Sequence, residues 1–250
     1  MKFEYAILQT FKYVSIPIPL LNFYFAFCVT ISFFGQSTMA QEKLKILCLH
    51  GYQQNAQLLR EKTGGIRKAI KTVEWHFIDS PHRVENSTDD EKDPRGWWFT
   101  NENRTYSRSE SDLDVGFQDS LEAIENKYTK DGPYHGLLGF SQGGSMAAII
   151  AALDQQKSKR RFQFIMLVSG LKSHIKSHSK FYENIIDIPS LHVMGEADTL
   201  VDKGKSEELA ECFNPTIREV YVHKKAHLIP CDKTAITVYR NFIQKFSNST

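Results

Sequence analysis

From residue 43 onward the chain alternates between short apolar runs and longer stretches with a helical period. The first run, Leu44-Lys-Ile-Leu-Cys-Leu-His50, is almost wholly apolar and stops at Gly51, which predicts a strand buried on both faces. A helical pattern follows from Ala56 to Lys71, and a second strand is predicted from Val73 to Ile78. The alternation recurs as helix Leu113–Tyr128, strand Tyr134–Phe140, helix Gln142–Leu153 and strand Phe162–Val168. It ends with strand Leu191–Met194, helix Lys203–Phe213, strand Ile217–Val222 and helix Lys233–Phe246. Strands that alternate with helices predict an α/β fold, a mostly parallel sheet with helices on both faces.

One segment breaks the rhythm. Pro81 to Ser111 is polar, rich in Asp, Glu, Ser and Asn, yet contains Gly96-Trp-Trp-Phe99. A loop of that length inside a domain generally has a function of its own or is disordered. Trp97, Trp98 and Phe99 have two readings: they wall a pocket for an apolar acyl group, or they anchor the polar excursion to the core.

The first forty residues follow a different pattern. Val14 to Phe34 carries no charge and is preceded by Lys2 and Lys12. Such a stretch is long enough to enter a bilayer, and with Thr38-Met39-Ala40 behind it also has the layout of a cleaved secretory signal. In a third reading Met39 is the true start, because Met39-Ala-Gln-Glu-Lys leads directly into the first strand. We take residues 1–40 as a hydrophobic extension and residues 43–248 as one domain. A membrane partner is expected only if residues 14–34 are retained. Without them the expected location is the cytoplasm, with the nucleus open to it; with them it is the exterior or a membrane. The sequons at Asn86, Asn103 and Asn248 add little to the secretory reading.

Charge and cysteine content narrow the function. The 31 Lys and Arg nearly balance 29 Asp and Glu, a net charge of +2, so no global field draws the protein to nucleic acid. The basic run Lys157 to Arg161 falls between a helix and a strand and reads as a solvated loop. Cys28, Cys48, Cys212 and Cys231 have no zinc-site spacing, and Cys48 sits in an apolar run as a reduced core residue. A small-molecule substrate and no metal are expected.

The chemistry is concentrated at Gly139-Phe-Ser-Gln-Gly143, which matches G-x-S-x-G between an apolar strand and a small-residue helix. A nucleophile elbow needs glycine on both sides because the tight turn holds the serine in a strained conformation. Ser141 is therefore the candidate nucleophile. Its partners on such a fold follow in the order Ser, Asp or Glu, His. Asp198 lies just after strand Leu191–Met194 and His227 after the last strand, with Glu196, Asp202 and His223 as nearby rivals. His223 reads as a partly exposed strand residue.

An oxyanion hole needs two amide donors. The expected ones belong to Gln142, at the start of its helix, and to Tyr52, in the turn after the first strand. His50 reads as a prop for that turn. His174 and His178 are four apart, but without an intervening Glu they make a poor metal motif and read as an exposed polar loop.

Taken together, Leu49-His-Gly-Tyr52, Arg60-Glu-Lys-Thr-Gly64, Gly96-Trp-Trp-Phe99, Gly136 to Gly143, Leu167-Val-Ser-Gly170, Pro189 to Gly195 with Asp198, and His227 with Pro230 carry a family likeness. From about residue 43 to its end the chain resembles the FSH-type serine hydrolases, a group that includes ovarian-tumour-associated esterase-like hydrolases and fungal thioesterases. The resemblance implies a lightly capped α/β hydrolase acting on acyl esters or thioesters without a cofactor, its triad falling on Ser141, Asp198 and His227. One departure stands out: the family usually has Gly-Gly before the histidine, and here the pair is Lys225-Ala226. A positive φ at either position would strain the loop by about 1 kcal/mol. Two alternatives to an acyl esterase remain, a thioesterase using the same residues and a non-catalytic protein that keeps the fold as a ligand pocket.

Overall fold

A computed structural model describes residues 43–85 and 93–247, within a compact unit spanning Lys43–Thr250. The apolar Val14–Phe34 segment and the sequons at Asn86 and Asn248 lie outside the described residues, and so do the expectations attached to them. Asn103 is exposed. No helix among the described residues is long and apolar enough to cross a membrane.

Six strands form one wholly parallel sheet: β1 (Leu44–Leu49), β2 (Val73–Ile78), β5 (Gly136–Phe140), β6 (Phe164–Val168), β7 (Ser190–Gly195) and β8 (Arg218–His223), in the order β2-β1-β5-β6-β7-β8. The apolar runs occupy the centre and the mixed ones the edges. GLLGF and FIMLV are buried along their whole length, whereas REVYVH at one edge has mostly half-exposed positions. Parallel strands need cover on both faces, and the two-residue side-chain period supplies it. Leu47, Leu137, Ile165 and Leu167 pack in one core with Met146, Ile149 and Ile150. Ile46, Cys48, Leu138, Met166 and Val193 pack in the other with Leu59, Ile66, Tyr239 and Phe242. Full burial raises the Cys48 thiol pKa far above its ordinary range.

The α-helices among the described residues are α1 (Ala56–Lys62), α2 (Gly64–Ala69), α3 (Phe117–Asp131), α4 (Gln142–Gln156), α5 (Lys203–Glu211) and α6 (Lys233–Gln244). Two predicted helices need correction. The single helix expected over Ala56–Lys71 is two, because the Thr63 hydroxyl bonds back to Leu59 O at 2.9 Å and closes the first before Gly64. The helix expected from Leu113 begins at Phe117, because Gly116 is left-handed (φ 81°) and Val115 is paired with Phe99. The Lys157–Arg161 run does form a loop, yet Arg161 is not simply solvated. Its Nε meets Asp154 Oδ1 at 2.8 Å, and its Nη1 pairs with Glu125.

The long excursion carries a short antiparallel pair, β3 (His82–Arg83) with β4 (Arg95–Gly96), and then crosses the C-terminal edge of the sheet. Tyr106 packs on Tyr52 and Trp98, with centroids 5.2 Å and 6.0 Å apart, and Arg108 donates to the carbonyl of Leu200. In open parallel sheets this edge is where ligands bind.

Candidate active site

Strand β5 delivers Ser141 to that edge. Its backbone lies at φ 54°, ψ −120°, the strained turn expected of a serine between a strand and a helix. The flanking glycines are sterically required. A Cβ on Gly139 would sit 2.2 Å from Gly143 O, and one on Gly143 would sit 2.3 Å from Leu49 O. The next turn, after β1, packs directly against the serine, since a Cβ on Gly51 would meet Ser141 Cβ at 3.3 Å.

The imidazole of His227 lies over Phe140, with centroids 4.9 Å apart, beside the residue that precedes Ser141. Its Nδ1 is 2.7 Å from Asp198 Oδ2. The carboxylate accepts that N–H, which leaves the Nε2 lone pair free. The other oxygen, Oδ1, accepts the backbone N–H groups of Leu200 at 3.0 Å and Val201 at 2.9 Å. Asp198 is almost completely buried, and with both oxygens occupied it has its position dictated by the loop and the ring together.

The loops that carry Asp198 and His227 are also joined by backbone hydrogen bonds, Glu196 N–H to His223 O at 2.8 Å and Ala197 N–H to Lys225 O at 3.3 Å. Gly195 permits this approach, because a Cβ there would lie 2.4 Å from Lys225 O. Among the described residues, the non-glycine positions with positive φ are Gln53, Asp93, Arg104, Ser141, Ser158 and Ser169. Lys225 and Ala226 are not in that set, so the loop is built without the strain that the missing glycines would imply. His223 is buried rather than partly exposed, its Nδ1 accepting the Lys225 N–H at 3.2 Å. Burial lowers its pKa.

Gln142 opens α4, and the first amides of a helix have no carbonyl partner within it. His50 is buried and holds the facing turn. Ser80 N–H donates to its Nε2 at 3.1 Å, so the ring proton sits on Nδ1 and points to Gly51 O at 2.8 Å. Burial lowers the His50 pKa to about 4, which keeps the ring neutral in this role.

Trp97, Trp98 and Phe99 are fully buried and present no surface to a ligand in this conformation. They anchor the excursion instead: the Trp97 indole donates to His50 O at 2.7 Å, and Phe99 meets the Tyr52 ring edge-on at 6.5 Å. Three supporting contacts were not foreseen from the sequence, namely the Gln142 carboxamide on the Trp97-Trp98 backbone, the Ser120 hydroxyl on Trp97 O at 2.6 Å, and Tyr106 on Tyr52. A side chain with both donor and acceptor at the first position of a buried helix was the one available signal.

His178 is not in an exposed loop. It is buried in a 3-10 helix (Lys176–Tyr182), its Nδ1 2.8 Å from Ser173 Oγ, its Nε2 3.2 Å from Asp114 Oδ2 and its ring 4.2 Å from Phe117. An open groove of about 910 Å³ runs beside it between α3 and α4, but Ser141, Asp198 and His227 do not line it. Among the described residues no group of His, Cys, Asp and Glu is arranged to hold a metal ion.

A wholly parallel sheet with a strained serine turn at its C-terminal edge, and a histidine–carboxylate pair whose ring packs on the residue before that serine, has the architecture of the α/β hydrolases. The family model described as "Serine hydrolase (FSH1)" matches residues 39–239, and the chain belongs to that family. The chain is 37% identical over 229 residues to "Esterase OVCA2" of Danio rerio, covering 83% of this chain and all of that one. Its fold is similar to that of esterase PE8 (TM-score 0.59, 18% identity, covering 81% of this chain and 92% of that one). It is also similar to that of acyl-protein thioesterase 2 of Zea mays (TM-score 0.55, 15% identity, covering 82% and 96%).

Proposed function

We propose that the protein is a serine hydrolase that cleaves acyl esters through an acyl-enzyme on Ser141. The observation that carries this reading is the left-handed Ser141 turn, locked by Gly139 and Gly143, together with a histidine–carboxylate pair at 2.7 Å whose ring packs on Phe140, the residue before the serine. In the reaction, Ser141 Oγ attacks the acyl carbonyl as His227 Nε2 takes its proton, and Asp198 holds the ring with Nδ1–H turned inward. The amides of Gln142 and Tyr52 stabilise the oxyanion. The tetrahedral adduct collapses, breaking the bond to the alcohol, which leaves with the proton from His227. Water, deprotonated by the same ring, then releases the acid and frees Ser141.

The curated relative's name supports an ester substrate, and a thioester uses the same residues with a thiol as leaving group. We assign Trp97, Trp98 and Phe99 to the support of the oxyanion turn rather than to the surface that meets the acyl chain. The test is turnover of p-nitrophenyl esters of graded chain length, and of the matching acyl thioesters, by the full-length protein and by Ser141→Ala. Serine-dependent ester turnover exceeding thioester turnover is the expected result. Equal rates in the two proteins would overturn the mechanism, and a folded protein that binds these compounds without turnover would establish the non-catalytic reading.

A further inference from the structure

Gln142 belongs to the elbow through its main chain and to the Trp97-Trp98 segment through its side chain. The carboxamide is 1% exposed and fully used: Trp97 N–H donates to Oε1 at 2.9 Å, and Nε2 donates to Trp98 O at 2.8 Å. The Trp97 indole N–H in turn donates to His50 O at 2.7 Å, with the two rings 5.0 Å apart. His50 then grips Gly51 O and Ser80 N–H. A continuous buried path therefore runs from Gln142 through Trp97 and His50 to the turn that holds Gly51 and Tyr52. Its two ends are the residues whose amides face a reacting carbonyl in the mechanism above. Water cannot replace a lost partner along this path, so a broken link leaves a buried polar group unpaired and the turns free to drift.

We propose that the Gln142 carboxamide and the Trp97 indole are positioning residues of the oxyanion hole, setting the separation between the Gln142 and Tyr52 amides. This rests on the reading that those amides hold the oxyanion of a serine hydrolase. The two residues touch no substrate. They act by fixing, across two segments far apart in sequence, a geometry in which misplacement by about 1 Å can cost on the order of 100-fold in rate.

Two full-length variants test it. Trp97→Phe keeps an aromatic ring and removes only the donor to His50 O. Gln142→Glu keeps the shape; when ionised it still accepts from Trp97 N–H but sets its second oxygen against Trp98 O, and when protonated it donates there again. The expected result for Trp97→Phe is a kcat lower by about 10- to 100-fold with KM unchanged. Affinity for a trifluoromethyl ketone, whose adduct with serine places an oxyanion in the hole, should fall by the same factor. For Gln142→Glu the ratio of variant to parent kcat/KM should rise as pH falls from about 8 to about 5, because a carboxyl buried against a carbonyl regains its proton early.

A folded Trp97→Phe protein with parental kcat and ketone affinity would overturn the proposal. So would a drop in kcat without loss of ketone affinity, or a Gln142→Glu ratio that does not change with pH. Should Gln142→Glu not fold, the Trp97→Phe arm decides alone. Absence of serine-dependent turnover in the parent would instead refute the hydrolase reading and take the proposal with it, so the two failures are distinct.

Discussion

Asp198 meets His227 through one carboxylate oxygen and its own loop through the other. Oδ2 lies 2.7 Å from the ring Nδ1, and Oδ1 accepts the N–H groups of Leu200 and Val201. This division predicts the behaviour of Asp198→Asn. The amide oxygen stays with the two backbone donors and the NH2 turns to the ring, so Nδ1 must accept and Nε2 must carry the proton. A histidine in that tautomer cannot take a proton from Ser141. We expect kcat to fall by about 10³- to 10⁴-fold with the melting temperature nearly unchanged. Kinetics and thermal unfolding on the same preparation check it; a loss below tenfold would argue that His227 is not oriented by this contact.

The elbow glycines give a prediction about stability. A Cβ on Gly143 would lie 2.3 Å from Leu49 O and 2.5 Å from His50 O, both backbone atoms of the neighbouring strand end. Neither can yield without displacing the β1 turn. Gly143→Ala should destabilise the protein by about 3 kcal/mol or more, at the upper end of overpacking costs. Gly64→Ala is the contrast: nothing lies within 4 Å of its added Cβ, and the position is helical. There the same substitution should be neutral or stabilising by up to about 1 kcal/mol. Chemical denaturation of the two variants beside the parent checks the opposite signs.

Much of this architecture was legible because it rests on local pattern. The runs around Leu47, Leu138 and Met166 are apolar without alternation, which only a strand covered on both faces demands. Gly139 and Gly143 flanking Ser141 report a turn whose sterics depend on nearby residues. What was not legible depends on partners remote in sequence. Trp97 finds its role 47 residues away at His50, and Arg108 finds Leu200 92 residues away, so neither spacing nor composition could show where the polar excursion runs. His178 reads as part of an exposed polar loop and His223 as a partly exposed strand residue, yet each is buried in the fold. The helix break at Thr63 is not legible locally, because the residues on both sides of it are helical and only the turn of the backbone at Thr63 separates them.

Two buried histidines make stability depend on pH. Burial lowers the pKa of His50 to about 4 and that of His192 to about 3, against 6.5 for the free side chain. At about pH 8 and above both are essentially neutral in the folded and unfolded chain and contribute almost no slope. Below it the unfolded chain takes up protons that the folded one refuses, so stability falls as pH falls toward the folded values. Each histidine should contribute up to about 1.4 kcal/mol per pH unit. His192 packs on Phe213 with its Nε2 3.1 Å from Ser190 Oγ and lies away from Ser141, so it can be replaced for the test. Denaturant unfolding between about pH 7 and pH 4.5 should show a shallower slope in His192→Asn than in the parent. Identical slopes would mean that this ring does not remain neutral in the fold.

The loop before His227 supplies the last prediction. The resemblance set out above leads one to expect two glycines there; this chain has Lys225-Ala226, neither of them with positive φ. Their carbonyls both lie over Gly195, at 2.4 Å and 3.0 Å from where its Cβ would be, so the close approach is provided by the glycine on the opposite loop. Restoring glycine at position 226 therefore relieves nothing in the folded state and adds freedom to the unfolded one. Ala226→Gly should cost about 0.4–1 kcal/mol of stability without raising kcat. Lys225→Gly should cost at least as much, since it also removes the Nζ contact with Asp232 Oδ2 at 3.0 Å. Thermal unfolding and ester kinetics on both variants check this. A rise in kcat for either one would show that the native loop holds His227 away from its working position, contrary to the unstrained geometry seen here.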